Sequence, residues 1–152
     1  MIGAIMKLST RTRYGTRAML DLALSYGQGP TPLKDIADHQ DLSPKYLEQV
    51  LAALQAANLV RAIRGSKGGY ILSRPPGQIS LRDIYEFLEG SEGFVRCTSD
   101  PRVCTRADSC VTRELWATLY ETCVKTLESV TLEDLARRAR EKQSQLAGEY
   151  CI

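Results

Sequence analysis

The stretch SPKYLEQVLAALQAANLVRAIRGSKGGYIL, residues 43–72 of a 152-residue chain, holds two readings back to back. Ser43 before Pro44 is a helix start: a hydroxyl accepts from a backbone N–H of the first turn, where the missing proline N–H costs nothing. Leu47, Val50, Leu51 and Leu54 then recur at helical spacing out to about Ala57, which buries one face and leaves Lys45, Glu48 and Gln49 for the other. Next come Leu59–Ile63 and Tyr70–Leu72, two β-prone runs separated by Arg64-Gly65-Ser66-Lys67-Gly68-Gly69. Glycines at a basic hairpin tip let backbone and cations approach a surface closely, so this segment reads as a wing.

Upstream, Tyr14, Ala18, Met19, Leu22 and Ala23 define an amphipathic helix from Arg11 to Tyr26, stopped by Gly27-Gln28-Gly29-Pro30. Thr31-Pro32 repeats the cap-and-proline device for a short helix ending near His39, and the two short helices joined by a tight turn read as helix-turn-helix. Downstream, Pro75-Pro76-Gly77 breaks the chain, and Ser80-Leu81-Arg82-Asp83 opens a helix through Leu88 that Gly90 ends. Residues 91–111 show no period and read as a loop, long enough to require a functional explanation. From Thr112 to Leu127 a stripe of Trp116, Leu119, Tyr120, Cys123 and Leu127 makes a long helix with an apolar face suited to a dimer contact. Thr131-Leu132-Glu133-Asp134 is one more capped start, after which the chain turns polar and its last residues read as mobile.

The fold class expected is therefore mainly α with a small β-hairpin, a winged helix-turn-helix plus a long dimerisation helix. Its parts are a DNA-binding unit at 1–78, a linking helix and cysteine loop at 79–111, a dimerisation region at 112–135 and a polar tail at 136–152.

The net charge of +2 conceals a split: residues 1–74 hold ten Lys/Arg against five Asp/Glu, and residues 75–152 hold ten against thirteen. The basic half is the nucleic-acid candidate. Within it Ser43, Lys45 and Tyr46 are placed for phosphate contacts, and Glu48 and Gln49 for base edges, where an acid accepts from cytosine and an amide pairs with adenine. Arg64 and Lys67 suit a minor groove or phosphates, with Arg11, Arg13 and Arg17 adding phosphate contacts. Leu47, Val50 and Leu51 are core. With no run of 18 apolar residues, and a Met1–Met6 start too short and uncharged for a signal peptide, a cytoplasmic protein without a membrane partner is expected.

Five cysteines is an odd count, and in a reducing compartment spaced cysteines serve metals or redox chemistry more often than structural disulfides. Cys97, Cys104 and Cys110 lie in the unpatterned loop, and three soft thiolates there can wrap an iron–sulfur cluster. A reversible disulfide, promoted by Arg96, Arg102 and Arg106, and a loop with no ligand stay open as alternatives, the chain then being a cluster-free repressor controlled by cysteine oxidation or by a partner protein. Zinc is disfavoured, because the chain has a single histidine, His39, and no Cys-x2-Cys pair. His39 reads as a solvent-facing residue, Cys123 as a buried structural thiol and Cys151 as a free thiol. Nothing resembles a catalytic set: there is no Ser/His/Asp group, paired carboxylates in an apolar cleft or nucleotide loop. An enzyme or electron carrier is thus the weakest class.

Together, Ser43–Leu51, Leu59-Val60, Arg64-Gly65 and Gly68-Gly69-Tyr70 resemble the Rrf2 family of bacterial winged-helix regulators, from Met6 to about Leu135. Members begin at a Met-(Lys/Arg)-Leu sequence, here Met6-Lys7-Leu8, so residues 1–5 read as an extension or alternative start. The resemblance implies a homodimer crossed through the helix with Trp116 and Leu119, reading a two-fold operator in double-stranded DNA. It also implies that Cys97, Cys104 and Cys110 ligate a 2Fe-2S or 4Fe-4S cluster that senses iron, redox state or nitric oxide. The fourth ligand departs from the pattern. Some cluster-binding members carry a histidine three residues after the third cysteine, where this chain has Arg113; others use an acidic residue of the partner's first helix, and the matching position is Arg13. Glu114, Asp108, Cys123, Cys151 or a small thiol or water remain for that position.

Overall fold

The computed structural model describes residues 8–149; Met6, Lys7 and the Cys151 thiol lie outside the described residues. Helix α1 (Thr10–Leu24) is the hub, packing against α2 (Leu33–Gln40), α3 (Pro44–Ala56), α4 (Leu81–Glu89), α7 (Leu132–Glu149) and the hairpin strand β2 (Gly69–Leu72). Its partner strand β1 (Val60–Ile63) pairs antiparallel in the register Val60 to Leu72 and Ile63 to Gly69. A short α5 (Arg96–Ser99) and the long α6 (Val111–Glu128) complete the order. This is the mainly helical winged architecture expected.

Local chemistry explains the boundaries. The Ser9 hydroxyl accepts from the Thr12 N–H at 3.1 Å and starts α1; Ser43 does the same for the Tyr46 N–H at 3.2 Å and starts α3. Ser80 and Asp83 form a reciprocal capping box at α4, with bonds of 3.2 and 3.0 Å. Between α2 and α3 the chain turns through Asp41, left-handed at φ 52°. That conformation suits an acidic residue whose short side chain tolerates it.

One core holds these pieces together. Met19, Ile36, Leu47, Leu51, Leu54, Leu59, Ile79, Ile84 and Leu132 are fully buried, each contributing about 1.5–3 kcal/mol of burial. Leu47, Val50, Leu51 and Leu54 all sit in it, as the spacing predicted. Gly15 lets α1 approach α4, since a Cβ there would stand 2.5 Å from Leu88 Cδ1 and 3.4 Å from Val50 Cγ1. The Ser9 backbone N–H also donates to Glu89 Oε1 at 2.6 Å, fastening the start of α1 to the last residue of α4.

Three expectations are corrected. Thr31 does not cap α2; its backbone forms a bridge with Tyr70 (Thr31 N–H to Tyr70 O 3.0 Å, Tyr70 N–H to Thr31 O 2.8 Å), and Pro32 occupies the cap position. The Thr31 hydroxyl, the group a local cap would have used, lies instead 2.8 Å from the Ser25 hydroxyl. Residues 91–111 are not featureless: α5 and 3-10 turns at Pro101–Val103 and Ala107–Ser109 articulate them. The tail from 136 is helical through Glu149, its Arg, Lys, Glu, Gln and Leu residues being good helix formers even where almost nothing is buried.

Candidate nucleic-acid interface and cysteine loop

Helix α3 turns Lys45, Glu48 and Gln49 to solvent while its other face enters the core. Ser43, also exposed, spends its oxygen on the Tyr46 N–H. Tyr46 is half-buried, edge-on to Tyr14 at 6.0 Å between ring centroids. The Arg13 guanidinium lies 5.9 Å from the Tyr14 ring and is otherwise exposed. Arg17 is committed to structure, donating from Nε to Gln40 Oε1 at 2.9 Å and from Nη2 to Gln40 O at 3.0 Å, across the α1–α2 junction.

At the hairpin tip Arg64 and Lys67 are exposed, and among the described residues neither they nor Lys45 or Arg13 joins an ion pair. The Thr31–Tyr70 bridge ties β2, one pair in from the wing tip, to the start of the helix-turn-helix, so recognition helix and wing form one body. His39 is exposed, yet its Nδ1 lies 3.0 Å from Asp21 Oδ2, joining α2 to α1. That hydrogen bond, and the Asp21 charge behind it, raise the imidazole above its ordinary pKa.

The second site is the cysteine loop. Cys97 lies in α5, Cys104 follows the turn Pro101–Val103, and Cys110 is the cap residue of α6; all three are half-buried free thiols. Cys110 Sγ is 3.2 Å from the Thr112 hydroxyl, which lowers its pKa, helped by the Arg113 backbone N–H at the helix start and by Arg106. The Arg113 side chain crosses the loop: Nε donates to Cys97 O at 2.7 Å and Nη1 to Ala107 O at 3.4 Å. Neither bond has a signature in local sequence; only the departure from the family histidine marks Arg113.

The donors fit a cluster in kind, three soft thiolates on one loop. In this conformation, however, no three Cys, His, Asp or Glu side chains among the described residues gather as a metal site. The guanidinium of Arg113 cannot ligate, because it is permanently charged and only donates. Glu114 and Asp108 are exposed. Cys123, expected to be buried, is half-buried on α6.

On that face the apolar residues are uncovered: Val111 is 75% exposed, Leu115 52%, Trp116 40% and Leu119 40%. Tyr120 looks inward, packing edge-on against Phe94 at 5.4 Å and donating to Ser91 O at 3.2 Å. Helix α6 thus rests on α4 and α5 by one side only.

A helix-turn-helix presenting a polar recognition face beside a basic two-stranded wing defines a winged-helix DNA-binding regulator of transcription, not an enzyme. The chain belongs to the Rrf2 family, whose model, described as an iron-dependent transcriptional regulator, matches residues 8–138. The regulator CymR of Bacillus subtilis is 43% identical over 131 residues, spanning 86% of this chain and 90% of that protein. The solved structure of CymR, titled the global cysteine regulator of B. subtilis, superposes with a TM-score of 0.75 at 42% identity, covering 88% of this chain and 98% of that one. IscR of T. potens gives a TM-score of 0.76 at 41% identity, with 91% of each chain covered. No helix among the described residues is long and apolar enough to cross a membrane.

Proposed function

We propose that this regulator is a cytoplasmic homodimer that binds a two-fold operator in double-stranded DNA, and that its affinity is set by an iron–sulfur cluster held through Cys97, Cys104 and Cys110. Ser43, Lys45 and Tyr46 meet the phosphates, Glu48 and Gln49 the base edges of the major groove, and Arg64 and Lys67 the minor groove, with Arg13 adding a phosphate contact. The half-buried ring of Tyr46 keeps its place by packing on Tyr14. The partner subunit covers the outward face of α6, where four large apolar side chains otherwise meet water.

The observation that carries this reading is the connection between the two sites. The cysteine loop sits on α6, α6 packs on α4, and α4 is fastened to α1 at Glu89–Ser9 and closely packed at Gly15, beside Val50 of the recognition helix. A change in loop conformation can therefore bias where α3 sits. A cluster, of either the 2Fe-2S or the 4Fe-4S type, would supply an iron centre sensitive to iron supply, oxidants or nitric oxide. Three of its ligands are the loop thiolates, and Arg113 is not the fourth.

Anaerobic reconstitution with iron and sulfide tests the reading. Sulfur-to-iron charge-transfer bands, with counts of both elements, should appear and be lost in the Cys97→Ser, Cys104→Ser and Cys110→Ser proteins. A colourless wild-type protein without iron or sulfide refutes the cluster.

A second reading, thiol oxidation without metal, is favoured by the lowered pKa of Cys110 at the start of α6. It predicts that the triple serine variant binds DNA as the reduced protein does but ignores peroxide.

A further inference from the structure

We propose that Arg113 is a latch on the cysteine loop, whose tie to the Cys97 and Ala107 carbonyls opposes the closing of Cys97, Cys104 and Cys110 on a metal. The inference rests on the reading of these thiols as a ligand set, and it concerns what opposes their assembly.

Three observations support it. The guanidinium reaches from the first turn of α6 to two points ten residues apart in the loop, Cys97 O at 2.7 Å and Ala107 O at 3.4 Å. The short bond to Cys97 O is charge-assisted, the stronger kind, and the longer contact to Ala107 O spans the loop from the same planar group. The latched end is packed: Ala107 is buried and Arg113 half-buried, so the tie is sheltered from competing water. With the tie in place the thiols are not gathered: Cys97 is held in the α5 turn and Cys110 at the cap of α6, and no three ligating side chains meet. Arg113 holds the Cys97 carbonyl, so it resists any closure of the sulfurs that moves the Cys97 backbone. A guanidinium also brings a fixed positive charge to a place where an incoming metal cation needs negative ones.

Cobalt(II) is the probe, because its thiolate charge-transfer band and visible ligand-field bands count sulfur ligands without iron or sulfide chemistry. Wild-type, Arg113→Ala, Arg113→Gln and Arg113→Lys full-length proteins are titrated anaerobically with cobalt(II). Melting temperature and duplex binding serve as checks of the fold. The expected result is about tenfold tighter cobalt binding by Arg113→Ala, the equilibrium weight of one charge-assisted hydrogen bond. Arg113→Lys should return partway to wild type, since its ammonium keeps the charge and donors but lacks the rigid planar fork of the guanidinium. If Arg113→Ala does not fold, Arg113→Gln carries the test with the same sign, having lost the charge and the reach.

Cobalt affinity that is unchanged or weaker without Arg113 overturns the latch, and if wild type still takes up iron and sulfide, the cluster reading survives that result. Absence of thiolate-to-cobalt absorption in every variant overturns the latch together with the ligand-set reading.

Discussion

Gly69→Ala tests whether the wing is held by the helix-turn-helix or stands alone as a hairpin. A Cβ at residue 69 would fall against the Thr31 carbonyl, 2.5 Å from its carbon and 2.8 Å from Pro32 N, all of it backbone that cannot rotate away. An ordinary contact needs about 3.4 Å or more, so strand β2 and residues 31–32 must part by about 1 Å. That separation breaks the two Thr31–Tyr70 bonds, at 3.0 and 2.8 Å. At about 1 kcal/mol for each bond, with a further cost for partly buried groups left unpaired, the loss comes to about 2–3 kcal/mol. For a chain of this size it lowers the melting temperature by about 4–12 °C. Gly65→Ala is the control for the positive φ that both glycines have, +157° at Gly69 and +118° at Gly65: with nothing within 4 Å of Gly65, only the backbone conformation is penalised there, by about 1–3 kcal/mol, with the Thr31–Tyr70 bridge kept. Guanidinium melts give stability, and fluorescence anisotropy on a duplex gives affinity. Gly69→Ala should weaken DNA binding at least about tenfold at a temperature where both proteins are folded, because Arg64 and Lys67 are no longer registered to α3. A Gly69→Ala protein within about 0.5 kcal/mol of wild type, with unchanged DNA affinity, refutes the claim that this bridge positions the wing.

Arg64→Ala and Lys67→Ala should each weaken binding to all duplexes and flatten the salt dependence of log K by about one contact, measured from 50 to 200 mM salt. An unaltered slope would exclude these cations from the interface. The His39–Asp21 pair makes stability pH-dependent with a definite sign: the folded pKa is raised, so the contribution is full below the ordinary histidine value of 6.5 and is lost as pH rises through the folded value. Urea melts of wild type against Asp21→Asn should converge at high pH and separate at low pH. Cys110, whose pKa is lowered by the Thr112 hydroxyl first, should be alkylated by iodoacetamide from a lower pH than an ordinary thiol, and Thr112→Val should move that profile upward in peptide-mapped mass spectrometry. Leu119→Asp, placed on the uncovered face of α6, should convert a dimer to a monomer in sedimentation equilibrium without lowering the melting temperature of the monomer unit.

Local chemistry was enough for much of this. The cap at Ser43, the apolar spacing through Leu54 and the capping box at Ser80–Asp83 are encoded within four to eleven residues, and each forms as its sequence predicts. The hairpin was legible for the same reason, since a short basic glycine-rich tip between β-prone runs leaves little choice of pairing. The Thr31–Tyr70 bridge was not, because its partners are 39 residues apart and the local signal at Thr31-Pro32 pointed to a cap. The helical tail past Ala136 was missed because its helicity comes from propensity on a surface with almost no apolar face to read.

The candidate sites divide along the same line. By itself the sequence determined which residues are the candidates: a basic wing, a helix presenting Glu48 and Gln49, three thiols in one loop, and an arginine three residues after the last of them. Tertiary structure decided which of them are free to act. It spends Arg17 on Gln40, pins Tyr46 to Tyr14, pairs His39 with Asp21, and sets Arg113 across the cysteine loop. Residue type and spacing are properties of the chain, but whether a charge or a thiol is committed depends on groups that only folding brings within about 3 Å.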